Sequence, residues 1–243
     1  MPWSPDRVGD VAPLVRTGAG ATWLTNGELL WPLANDGTRG EPIQLSMQAT
    51  GMTVTGGWPQ VIGAHRVDRS LAIEFVALYA ASATEIVPMN TDAVPAIGGD
   101  GREAAIAWLR GSEGEGGDVV VSRLAPSRFA DLEAAVQAPQ VIGHWNADAG
   151  PMRPDVAADG RHFLVVWRNR NVAGDHDLEA ASIDAQGRVT AFTIAASAAE
   201  EREPSVVAIG DGSFLVTYVK EEAGRRRIAS RTITFPARRR AAR

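Results

Sequence analysis

The sequence predicts an all-β repeat fold, a five-bladed β-propeller, and three observations predict it. Short apolar stretches recur in similarly ordered units along the chain. Gly- and Pro-rich turns separate them. No segment sustains the 3.6-residue apolar period of an amphipathic helix. The 243 residues include 25 Gly and 14 Pro, enough for many tight turns. A chain of this length suits one large all-β domain.

The clearest repeat pairs "RPDVAADGRHFLVVW" (Arg153 to Trp167) with "EPSVVAIGDGSFLVTY" (Glu203 to Tyr218). Each has a Pro, a short strand, a Gly-containing turn and an apolar strand ending on an aromatic residue. "VPAIGGDGREAAIAW" (Val94 to Trp108) is a third copy: Pro95 to Pro154 and Trp108 to Trp167 both span 59 residues. On the following strand, Asp118 to Asp177 spans 59 as well. Two looser copies begin at Pro13 and Pro59, with Trp23 and Phe75 as their aromatics. Units starting near 13, 59, 95, 154 and 204 average about 49 residues, close to one four-stranded propeller blade.

The fourth unit shows each element in order. "DVAA" is an inner strand, "DGR" a turn and "HFLVVW" the second strand. The loop "RNRNVAGDH" leads to "DLEAASID", the turn "AQGR" and the outer strand "AFTIAA". Pro opens the inner strand because it has no N–H to pair. Gly supplies positive φ in the turns at low steric cost. "RFADLEAAVQA" (Arg128 to Ala138) reads as a long loop towards an outer strand. The fifth unit, ending "RRIASRTITF", offers only three strands. The last blade is therefore expected to stay three-stranded or to be completed by the N-terminal segment, Trp3 to Val8. The expected domain is 1–235, with the basic "PARRRAAR" of 236–243 as a solvated tail. "PQVIG" occurs twice, at Pro59 to Gly63 and Pro139 to Gly143, at a spacing that fits neither repeat offset. The first copy is read as opening an inner strand and the second as lying on an outer one.

The unit P-x-V-A-x-x-G-x-x-F-L-V-V-W, followed by an I-D-x-x-G turn, resembles the β-propeller repeats of exported proteins and lipoproteins of Gram-negative bacteria. The match is specific in the last three units and loose in the first two. The resemblance implies the fold and an exported setting, periplasmic or extracellular. It implies no activity, because fold does not fix function. The opening "MPWSPDRVGDVAPL" lacks the basic and apolar regions of a signal peptide.

Composition narrows the partners. The net charge of −5 runs against a nucleic-acid partner. No apolar run of spanning length occurs, so membrane insertion is not expected. With no Cys there are no disulfides, thiolate metal sites or Cys nucleophiles. His65, His144, His162 and His176 lack zinc-type spacing. The oxygen-rich "NADAG" and "GDHD" do not fit a calcium loop. No metal and no cofactor are expected.

In a propeller the loops between second and third strands share a face with the blade-to-blade connections, around the channel mouth. Here "RGSEGEGGD", "RNRNVAGDHD" and "KEEAGRRR" read as long, polar loops, as a binding face would show. The candidate binding residues are Trp58, Trp145, Asn146, Asp148, Arg153, Arg168, Arg170 and Asp175. An exposed Trp145 beside Asn146, Asp148 and Arg153 could stack a sugar ring and bond its hydroxyls; otherwise Trp58 and Trp145 plug seams between blades. Trp23, Trp108 and Trp167 recur at blade positions and are expected in the core. The reading is a non-catalytic binding or scaffolding module for a protein or glycan ligand. The alternatives are a glycan-binding lectin and a glycoside hydrolase with Asp155 and Glu203 as its acids and Asp92 as a third candidate. A hydrolase needs its two acids about 5–10 Å apart.

Overall fold

In a computed structural model, the structure describes residues 14–16, 22–26, 28–34, 36–45, 48–55, 58–67, 70–77, 82–89, 94–112, 116–124, 136–146, 153–171, 174–210 and 212–235. Among these residues every regular element is a β-strand. Sheet one holds β1 (Leu14–Arg16), β2 (Thr22–Thr25), β3 (Leu29–Leu33) and β4 (Ile43–Gln44). Sheet two holds β5 (Gln48–Thr55), β6 (Trp58–Val67), β7 (Ser70–Ala77) and β8 (Ser82–Met89). Sheet three holds β9 (Ala96–Gly99), β10 (Ala104–Ser112), β11 (Gly116–Leu124) and β12 (Gln140–Trp145). Sheet four holds β13 (Asp155–Ala158), β14 (His162–Arg170), β15 (His176–Asp184) and β16 (Val189–Ala195). Sheet five holds β17 (Glu200–Gly210), β18 (Ser213–Glu222) and β19 (Arg225–Thr234). Each sheet is an antiparallel meander in chain order.

Local chemistry explains the turns. Asp100 accepts from the backbone N–H groups of Arg102 and Glu103, and Asp159 does the same for Arg161 and His162. These Asx turns place Gly101 and Gly160 at φ of 88° and 86°, which Gly adopts freely. On the next strand the repeat aromatics turn inward: Trp108, Trp167 and Tyr218 are all buried. One core lies between sheets three and four, a second between sheets four and five, and a smaller one joins sheets one and two.

Consecutive sheets meet through their first strands: β1 with β5, β5 with β9, β9 with β13 and β13 with β17. The approach is at backbone distance. A Cβ on Gly98 would lie 2.0 Å from the Val156 carbonyl oxygen, so only Gly fits there. Thr50 Oγ1 donates to the carbonyl of Pro95 at 3.3 Å across the neighbouring seam. The ring is open among the described residues, since β1 and β17 do not pack together as the other first strands do.

Three expectations need correction. Pro59 lies on β6, the second strand of its sheet, and Phe75 lies on β7, the third. The inner strand of that sheet is β5, "QATGMTVT". It has no leading Pro and few large apolar residues, yet Ala49 to Thr53 are all buried. Small residues suffice there because the sheets converge: a Cβ on Gly51 would already crowd Ile97 at 3.1 Å. Second, the supposed long loops are mostly strand. Glu222 pairs with Arg225, so Ala223 and Gly224 alone form that turn, at φ of 49° and 73°. Both values are positive, as a type I′ hairpin requires. Arg170 pairs with His176, which leaves only Asn171 to Asp175 as a loop. Third, Trp145 is buried in the core at the end of β12, which overturns its exposed, sugar-stacking reading and agrees with the seam alternative. The second "PQVIG" does lead into an outer strand, and Gly143 leaves room for the ring of Trp167, 2.5 Å from where its Cβ would be.

The two glycines give a ranked prediction. Gly98→Ala must move backbone and should cost about 3 kcal/mol of unfolding free energy; Gly143→Ala meets only a side chain and should cost about 1–2 kcal/mol. Urea denaturation of both variants checks the order. Equal losses would contradict the backbone-contact account of the seam.

Candidate functional site

Where β13 and β17 leave the axis, a cleft of about 410 Å³ opens between sheets four and five. Its sheet-four wall carries Arg153, Asp155 and Arg168, and its sheet-five wall carries Glu203 and Ser205. Pro154 and Pro204 complete the lining with rings that cannot donate a hydrogen bond.

Asp155 is the staple of this seam. Its Oδ2 accepts from the Ser205 hydroxyl at 3.0 Å and from the Val206 N–H at 2.8 Å. Its Oδ1 accepts from the Val156 N–H at 3.0 Å. Arg153 donates Nη2 to the Thr50 carbonyl at 2.8 Å, tying the entry of sheet four to the inner strand of sheet two.

Glu203 owes its position to a break in the ladder. Pairing between β17 and β18 shifts register between Arg202 and Ser205. The intervening Pro204 has no N–H for the ladder, which suits it to a bulge. Glu203 adopts φ of 52°, a left-handed conformation that costs a non-Gly residue about 1 kcal/mol or more. The bulge pushes it outward between the cleft and a second hollow of about 260 Å³ lined by Arg202, Val219, Glu221, Arg226, Arg227 and Ile228.

A chain of charges runs behind the cleft. Burial, then the like charge of Arg202, pulls the Arg168 guanidinium below its ordinary value, against the opposing pull of Glu200 and Glu203. Burial pushes the Glu200 carboxyl up, but the hydrogen bond and charge of His176 and the charge of Arg202 outweigh it and hold Glu200 low. His176 Nδ1 contacts Glu200 Oε2 directly, while its buried Nε2 has no partner among the described residues. One residue along β17, the Glu201 side chain is only 1% exposed. The Ser197 hydroxyl donates to it at 2.6 Å, and the Lys220 ammonium lies 3.5 Å away.

The sequence candidates divide accordingly. Arg153, Arg168, Asp155 and Glu203 meet at one cleft. Asn146 is a structural tie, accepting nothing from the cleft but donating its backbone N–H to Asn169 Oδ1 and its amide to the Arg170 carbonyl. Arg170 and Asp175 shape the β14–β15 loop: Arg170 Nε donates to the Gly174 carbonyl, and the Asp175 N–H to Asn171. Trp58 opens β6, but its side chain lies outside the described residues, as do Asp92 and Asp148. Sequence reading missed Glu200, Arg202 and His176. The charged run "EERE" ahead of Pro204 was the signal for Glu200 and Arg202, while His176 lay in "GDHD", weighed only as a metal site.

No family model and no curated protein matches the chain. Solved structures do. Hydrazine synthase from Kuenenia stuttgartiensis is 16% identical, with a TM-score of 0.51 over 92% of this chain and 60% of that one. The Aleuria aurantia lectin, a fungal lectin described as a six-bladed β-propeller with a novel fucose recognition mode, is 10% identical, with a TM-score of 0.54 over 92% of this chain and 78% of that one. TolB from Acinetobacter baumannii is 15% identical, with a TM-score of 0.48 over 90% of this chain and 49% of that one. The chain thus spans 60% and 49% of the hydrazine synthase and TolB chains. The likeness to the lectin puts the fold with the β-propellers, as an all-β protein whose described sheets form an open arc.

The Glu201–Lys220 pair yields a stability prediction. Lys220→Met strands a buried carboxylate and should cost about 2–3 kcal/mol. Arg226→Met breaks only the exposed pair with Glu221 and should cost less than about 1 kcal/mol. Chemical denaturation compares them, and equal effects would refute the buried-pair account.

Proposed function

We propose that the chain is a non-catalytic β-propeller binding module that holds a small ligand or partner segment in the cleft between sheets four and five. In this reading the five sheets are five blades of one domain. The observation that carries it is convergence: charged groups from the entry to β13, from β14 and from β17 line one hollow of about 410 Å³. That size suits a small-molecule site. The lectin recognises fucose on a related fold, which makes a glycan one class of ligand to test.

A hydrolase would use Asp155 and Glu203 as its acids. Both line the cleft, but Asp155 already accepts three hydrogen bonds, one from its own strand β13 and two from β17 of the neighbouring sheet. That favours a structural carboxylate over a proton-transfer group, which needs a free oxygen towards substrate.

Incubation with a panel of glycosides and short peptides separates the readings. Ligands are expected to shift NMR signals of Arg153, Arg168 and Glu203 saturably and to be recovered unchanged. Turnover of any glycoside that Glu203→Gln abolishes would replace the binding reading with the hydrolase.

A further inference from the structure

The cleft has two walls of opposite charge. Arg153, Arg168 and Asp155 stand on the sheet-four side, two positive charges and one negative, and Glu203 stands on the sheet-five side; the Asp155 carboxylate keeps its charge but spends its oxygens on the Ser205 and Val206 seam. From this charge separation we propose that the cleft binds a small zwitterion of the amino-acid or short-peptide class, its carboxylate against the arginine wall and its ammonium against Glu203. The proposal rests on the binding reading above and names its ligand.

Charge complementarity carries the inference. A lone anion would meet the Glu203 carboxylate, and a lone cation would meet two guanidiniums. A ligand with both charges satisfies both walls and leaves the cleft neutral. Arginine presents several N–H donors in a planar fork suited to a carboxylate, and Arg153 spends only Nη2 on the Thr50 carbonyl. The strain at Glu203 points the same way. Glu203 holds its carboxylate at φ of 52°, where Gly would rest without penalty. Strained residues of this kind gather at ligand sites.

The test uses the full chain and three probes: Ala-Ala, N-acetyl-Ala-Ala and Ala-Ala-amide, titrated by calorimetry and by NMR of the arginine Nε–H signals. Ala-Ala should bind at least about tenfold more tightly than either capped form, the loss expected when one charge-assisted contact goes. Glu203→Gly should melt about 2–4 °C higher, as release of about 1 kcal/mol gives in a chain of this size, while binding Ala-Ala no better than its acetylated form. Arg168→Met should erase the preference over the amide; if it fails to fold, Arg153→Met serves. Equal binding of all three probes, or unchanged affinity in Glu203→Gly, would overturn the zwitterion. Cleft shifts with galactose but none with Ala-Ala would overturn it too and leave the binding reading standing. No cleft shift with any of these would overturn both.

Discussion

The first strands of neighbouring sheets approach until backbone touches backbone, and the rest of the structure follows from that convergence. At each seam a different device tolerates it. Between β5 and β9, Gly51 makes room for Ile97, and Thr50 bonds the Pro95 carbonyl. Between β9 and β13, Gly98 lies against the Val156 carbonyl. Between β13 and β17, Asp155 replaces close packing with hydrogen bonds to Ser205 and Val206. The large aromatics sit one strand further out, where the wedge between sheets has widened enough to hold Trp108, Trp167 and Tyr218.

The same convergence builds the cleft. The seam between sheets four and five is held by a polar staple and not by a glycine contact, and beside it the β17 ladder bulges. The bulge frees Glu203 to face Arg153 and Arg168 across the opening. Behind it, Glu200, Arg202 and His176 settle their charges against one another. Structure and cleft therefore share residues: Asp155 holds the strands, while Arg153, Arg168 and Glu203 line the same opening.

Much of this was legible in the sequence, for a physical reason. In sheets three and four the inner strand begins just after a Pro, in sheet five the Pro sits at a bulge within it, and all three second strands carry a buried aromatic, so each leaves a mark in the chain. Sheet two carries neither mark on its inner strand, because β5 is built of small residues, so the frame slipped by one strand at Pro59. Arg153, Asp155 and Glu203 could be picked out from their positions beside the repeat prolines, and Arg168 from the loop that follows the repeat aromatic Trp167. Their convergence could not, since it depends on how two sheets meet. The two readings of Trp145 could not be separated for the same reason: "GHWNADAG" looks solvated along the chain, but the ring is buried in the core shared by sheets three and four, as the seam alternative has it.

The amide of Val206 reports most directly on the seam at the base of the cleft. Its N–H is given to Asp155 of the neighbouring sheet. Hydrogen exchange at that amide should be slow in the native protein and fast in Asp155→Ala, while the Val216 amide on the adjoining strand stays protected. Unchanged protection at Val206 in the variant would contradict the stapled seam and, with it, the account of how the cleft is held open.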